Sequence, residues 1–131
     1  MRYLLDTNAV IALLDDRDSL TSKRARAHRP ADVGVSAIVA HELYFGAFKS
    51  RRREANVSLV DELQFEVVAF DKEDARQAGE IRAALAALGT PIGPYDVLIA
   101  GQAKSRDLIL VSRNANEFSR VPGLRVEDWE T

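Results

Sequence analysis

Tyr3-Leu4-Leu5-Asp6-Thr7-Asn8 is the stretch that decides how this chain folds. Three apolar residues in a row fit a strand buried on both faces, and Thr7-Asn8 then opens a helix whose apolar positions are Val10, Ile11, Leu13 and Leu14. A carboxylate, Asp6, therefore stands where a buried strand gives way to a helix. In open α/β sheets that edge, outside the carboxyl ends of parallel strands, is where ligands bind.

Working outward, the pattern predicts a strand at about 2–5, helices over 8–14 and 20–28, a short strand at 33–35 and a longer helix from Ser36 to about Lys49. A helix over 54–63 and a short strand within 65–70 follow. Between Asp71 and Leu88 the apolar residues Ala78, Ile81, Leu85 and Leu88 recur at spacings of three and four, and Gly89 supplies the stop. Pro94 suits the first turn of another helix, and Leu108-Ile109-Leu110-Val111 reads as a further buried strand. A short helical segment at 114–119 and a strand at 124–126 complete the chain. Strands alternate with helices throughout, which predicts one α/β domain over 1–131 with a mainly parallel central sheet flanked by helices on both faces.

Composition narrows the function classes. The chain has 131 residues, 47% of them hydrophobic and 29% charged, as in an ordinary globular domain. It has no cysteine, which excludes disulfides, thiolate metal sites and cysteine nucleophiles and suits a reducing compartment. No apolar run approaches the ~20 residues of a membrane span, so the expected location is cytoplasmic, with no membrane partner. A net charge of −2 argues against binding nucleic acid through overall basicity. Local basic runs exist at Lys23–Arg29 and at Lys49, Arg51, Arg52 and Arg53, each also readable as a solvated helix terminus.

Two further acids occupy unusual positions. Glu42 lies four residues after Ile38, three after Val39 and three before Phe45, which places it on an apolar helical face. Asp96 starts the inward stripe Asp96, Ile99, Ala100 and Ala103. Asn114 follows the strand 108–111, and Glu117 is one turn beyond it. Each has a plainer role open to it: a helix cap for Asp6, a buried ion pair for Glu42, a dipole-satisfying acid for Asp96, and a surface or capping position for Asn114 and Glu117. Taken together, two strand ends and two inward helix faces of one small domain can converge on a single crevice. Clustered carboxylates either share protons or hold divalent cations. An all-oxygen set suits Mg²⁺ or Mn²⁺ rather than zinc or copper, and such a site sets water against a phosphodiester.

Other motifs fail on inspection. His41-Glu42 begins like the metalloprotease HExxH pattern, but Phe45 stands where the second histidine belongs. Neither a GxGxxG fingerprint nor a GxxxxGK[ST] phosphate loop is present. Two rival classes stay open on the residues alone. One is a phosphatase or phosphoacceptor domain built on Asp6, although Asn8 stands where such phosphatases carry a second aspartate. The other is a non-catalytic module whose acids hold a structural metal or pair with a partner's arginines.

Four segments carry a family resemblance: Leu4–Asn8, Ser36–Gly46, Ile92–Ala100 and Asn116–Leu124. In this order the chain resembles the PIN-domain toxins of the VapC type, nearly end to end. The resemblance implies a Mg²⁺-dependent ribonuclease in which Asp6, Glu42 and Asp96 are the metal-binding acids and Thr7 is a supporting hydroxyl. It also implies a homodimer, a VapB-type antitoxin that occludes the active site, and an RNA substrate. Asn114 departs from the pattern, because many members carry an aspartate there. Asn114 and Glu117 are then expected as auxiliary ligands or water-positioning groups, with Lys49, Arg51, Arg52 and Arg53 guiding RNA phosphates.

Overall fold

Every residue of the strands β1 (Tyr3–Leu5) and β2 (Val33–Ser36) is buried. Successive residues of a strand point to opposite faces, so this pattern requires cover on both sides of the sheet. The computed structural model describes residues 1–130 and shows that arrangement, with seven helices around a five-stranded sheet.

The remaining strands are β3 (Glu66–Val68), β4 (Ile109–Val111) and β5 (Val126–Glu127), and all neighbouring pairs are parallel in the order β3-β2-β1-β4-β5. The central register sets Leu5 between Val35 and Val111. From β1 the chain first steps outward through β2 to β3 and then returns to place β4 on the other side of β1. The order thus reverses between β1 and β4, and the crevice of an open α/β sheet forms at the carboxyl ends of the strands flanking that reversal.

The helices are α1 (Thr7–Asp15), α2 (Leu20–Arg26), α3 (Ala37–Lys49), α4 (Arg53–Asp61), α5 (Lys72–Ala87), α6 (Pro94–Ser105) and α7 (Ala115–Phe118). Local chemistry fixes their ends. Asp71 and Asp74 form a reciprocal capping box at the start of α5. Gly89 at φ +69° ends that helix, with Thr90 N–H reaching back to Leu85 O at 2.9 Å. Pro94 opens α6 as expected. Where α5 and α6 cross, a Cβ on Gly101 would lie 2.6 Å from the backbone of Ala78, so only glycine permits that approach.

The predicted elements all occur, with ends shifted by a few residues. The last strand lies at Val126–Glu127 rather than 124–126, and α4 ends at Asp61 rather than at 63. No helix among the described residues is long and apolar enough to cross a membrane.

Candidate active site

Asp6 follows β1 directly and Ser112 follows β4 directly, so both sit at the point where the strand order reverses. Asp6 N–H donates to Val111 O at 3.1 Å, which locks the two strand ends together. The Asp6 side chain is buried and caps α1: its Oδ1 accepts from Ala9 N–H at 2.9 Å. The plain capping role is therefore real, and it occupies one carboxylate oxygen while fixing the side chain. Burial raises the Asp6 pKa; the Ser112 hydroxyl, the Ala9 N–H and the Arg113 charge oppose that rise, and Glu42 adds to it.

Thr7 Oγ1 donates to Glu42 Oε1 at 3.0 Å, joining the first turn of α1 to the middle of α3. Glu42 is half-buried at the edge of the stripe Val39, Ala40, Leu43 and Ala47. The sequence placed Phe45 on the same inward face, but Phe45 is 62% exposed. Three residues on from Glu42 is 60° short of a full turn, and that rotation carries Phe45 out into solvent while Glu42 keeps to the rim of the core.

Asp96, in the first turn of α6, is half-buried and its pKa is pushed up to about 6. Desolvation is the largest cause, followed by the negative charges of Glu117, Asp6 and Glu42. Every charge acting on Asp96 is thus of like sign. Glu117 is held in place on both oxygens: Gly93 N–H donates to Oε1 at 3.0 Å, and Asn114 Nδ2 reaches Oε2 at 3.5 Å. Gly93 also leaves room for Asp96, whose Oδ2 would stand 3.1 Å from a Cβ there.

The structure therefore brings Asp6, Glu42, Asp96 and Glu117 into one electrostatic field, with Thr7 holding Glu42 and Asn114 holding Glu117. An all-oxygen acidic crevice has the chemistry of a site for a hard divalent cation. Among the described residues, no three His, Cys, Asp or Glu side chains are drawn together tightly enough to be a ready-made ion cage. A bound cation would have to draw the carboxylates inward. A groove of about 240 Å³ opens beside Thr7 and Glu42, with Ile11, Leu14, Leu43 and Leu59 in its apolar walls.

The two basic runs differ. In the first, Arg24 donates to Asp128 O at 3.0 Å, Arg26 to Arg17 O at 2.8 Å, and Arg29 pairs with Asp32 at 3.2 Å, so these three arginines are engaged within the fold. In the second, Lys49 lies over the Phe45 ring, Arg51 and Arg52 are exposed in the turn after α3, and Arg53 Nε donates to Phe48 O at 2.9 Å. Sequence reasoning missed Ser112 and Gly93. The rule that singled out Asp6, a polar residue straight after a buried strand, also points to Ser112. Gly93 had no comparable signal.

The PIN-domain family model matches residues 3–124. The tRNA(fMet)-specific endonuclease VapC of Salmonella typhimurium is 40% identical over 131 residues, covering 98% of each chain, and that of Shigella flexneri is 37% identical with the same coverage. Among solved structures, the DNA-bound VapBC of Salmonella typhimurium superposes with a TM-score of 0.93 at 40% identity, covering 98% of each chain. The chain belongs to the PIN-domain family, within its VapC ribonuclease branch, as the four sequence motifs implied.

Proposed function

We propose that this protein is a Mg²⁺-dependent endoribonuclease, the toxin half of a toxin–antitoxin pair, acting in the cytoplasm as one unit over 1–131. The observation that carries the reading is the rise of the Asp96 pKa to about 6, caused by burial together with the charges of Glu117, Asp6 and Glu42. Acids crowded at the switch point of the sheet so that Asp6 and Asp96 resist ionisation are a cost in stability unless a cation uses them. Asp6, Glu42 and Asp96 would hold Mg²⁺, with Mn²⁺ as a substitute, and Glu117 with Asn114 would complete the rim. A bound divalent cation supplies charge neutralisation at the phosphodiester and makes water a better nucleophile.

The protein's own groups do the positioning. Asp6 is fixed by the Ala9 N–H and Ser112, Glu42 by Thr7, and Glu117 by Gly93 and Asn114. Groups held in this way have fewer torsions left to order when a cation draws them inward and substrate arrives. Lys49, Arg51, Arg52 and Arg53 would meet backbone phosphates beyond the acidic crevice, because the acids themselves repel RNA until neutralised.

The neighbouring VapBC structures support a VapB-type antitoxin as partner, and the family resemblance implies a homodimer as the toxin's own assembly. The apolar groove beside Thr7 and Glu42 is a surface such an antitoxin would cover, with a cationic side chain standing among the acids in place of the metal. The substrate in the relatives' names, initiator tRNA, is the first RNA to test. Purified protein incubated with bacterial tRNA and Mg²⁺, followed by mapping of the new RNA ends, should give discrete cuts that a chelator abolishes. Intact RNA in the presence of the partner-free protein and Mg²⁺ would refute the assignment, and a hydroxylamine-sensitive phosphate on Asp6 would favour a phosphoacceptor instead.

A further inference from the structure

His41 immediately precedes Glu42 on α3, and Tyr95 immediately precedes Asp96 on α6. One residue back along a helix is a turn of 100°. On both helices that step leads from an acid in the crevice to an aromatic ring on its rim. The two rings meet across the gap between the helices, with centroids 5.4 Å apart and planes at 59°. His41 is exposed and Tyr95 is 46% exposed, so neither ring is sealed into the core. Four residues beyond His41 on the same line of α3 lies Phe45, 62% exposed, with Lys49 Nζ 5.5 Å above its ring. That line of rings ends at the turn that carries Arg51 and Arg52.

We infer that His41 and Tyr95 form a stacking platform for the RNA base next to the phosphodiester that is cut, with Phe45 and Lys49 taking the strand onward toward the arginine turn. The inference rests on the ribonuclease reading above and names the substrate contacts beside its acids. Proteins that recognise unpaired RNA splay bases onto exposed aromatic rings and track the backbone with cations. The rim here has that composition: two rings with polar edges, a third under a lysine, and arginines beyond. A purely apolar partner surface would gain little from His41, Lys49 or the arginines. A base held on the rim would bring its adjoining phosphate over Glu42 and Asp96, one residue along each helix.

The test compares wild type with His41→Leu, Tyr95→Leu, His41→Phe and Tyr95→Phe in Mg²⁺-dependent cleavage of bacterial tRNA. Loss of one stacked base lowers affinity by about 5- to 100-fold. The leucine variants should raise KM by that factor with a smaller change in kcat, and the phenylalanine variants should stay within about threefold of wild type. A substrate carrying an abasic nucleotide beside the mapped cut should lose the same factor with wild type and nothing further with Tyr95→Leu, as a coupled pair requires. Leucine variants with unchanged KM would overturn the platform while leaving the ribonuclease reading intact. So would a fully additive abasic effect, or sedimentation showing that the leucine variants lose activity only by losing a self-association. Failure of wild type to cut any RNA would overturn both.

Discussion

Thr7 Oγ1 donates to Glu42 Oε1 at 3.0 Å, although the two stand 35 positions apart in the chain. This bond fixes Glu42, the one acid in the sequence of α3, relative to Asp6, the residue before Thr7. In a helix-borne glutamate, three side-chain torsions must be ordered, and a hydroxyl from a neighbouring helix removes that freedom.

Replacing Thr7 with valine keeps the shape and deletes the bond. Partners that orient metal-binding groups typically contribute about 10- to 100-fold in activity or metal affinity. Thr7→Val should show a loss of that size, partly recovered at high Mg²⁺, while Thr7→Ser retains activity. Cleavage rate against Mg²⁺ concentration checks it, and superimposable curves for Thr7→Val and wild type would contradict it.

Asp96 gives a pH prediction whose sign is opposite to that of most aspartates. Its folded pKa of about 6 lies above the ordinary 3.8, so between those values the folded chain keeps a proton that the unfolded chain has released. Without divalent cations, stability therefore falls as pH rises through that window. Asp96→Asn should melt at a higher temperature than wild type above about pH 6, with the gap closing near about pH 4. Mg²⁺ should then stabilise wild type more than the variant. Parallel melting temperatures across the range would contradict the crowding of acids around Asp96.

In the proposed site Asn114 and Glu117 would divide one task. Glu117 carries the charge felt by Asp96, and Asn114 reaches its Oε2 at 3.5 Å. Glu117→Gln should therefore cost more than Asn114→Ala, with the latter in the range of about 10- to 100-fold or below. Asn114→Asp would place a second negative charge beside Glu117 and should move the Mg²⁺ requirement to lower concentration. Mg²⁺ titrations of the three variants decide this, and unchanged curves throughout would remove α7 from the site.

Far from the crevice, Asp74 is fully buried, yet its pKa is lowered. Desolvation pushes it up, but hydrogen bonds from Arg106, Ser105 and the Asp71 N–H outweigh that push. Arg106 also donates to Ala69 O at 2.8 Å, pinning the chain after β3 to the end of α6. Arg106→Leu strands the carboxylate and should cost about 2–3 kcal/mol in urea unfolding at neutral pH. Because the Asp74 pKa is lowered, its contribution is present above about 3.8 and is lost as pH falls below it. The penalty of Arg106→Leu should shrink in acid, and an unchanged penalty would contradict the pairing.

Much of this was readable before any coordinates. β1, β2 and β4 are nearly pure apolar runs between helical segments, which is how a doubly covered parallel strand looks in sequence. The acids Asp6, Glu42 and Asp96 stood out because each interrupts an apolar pattern. What stayed hidden depends on tertiary approach. Phe45 read as inward because spacings of three and four both count as one face, and only the position of α3 on the sheet selects Val39, Leu43 and Ala47. The bond between Asp6 and Ser112 requires β1 and β4 to be neighbours, which strand order decides and local pattern does not. Gly93 matters through its N–H to Glu117 and the room it leaves for Asp96, and a sequence displays neither contact.

The most direct measurement is RNA cleavage by purified, partner-free protein over a range of Mg²⁺ concentrations, run side by side for wild type, Asp6→Asn and Asp96→Asn, with each variant's fold verified by its melting curve. Wild type should cut in proportion to Mg²⁺ binding and fall silent with chelator. Both variants should remain folded, at least as stable as wild type without metal, and inactive at every Mg²⁺ concentration. Full activity of either folded variant, or wild-type cleavage that persists in chelator, would show that the acidic crevice is not where RNA is cut.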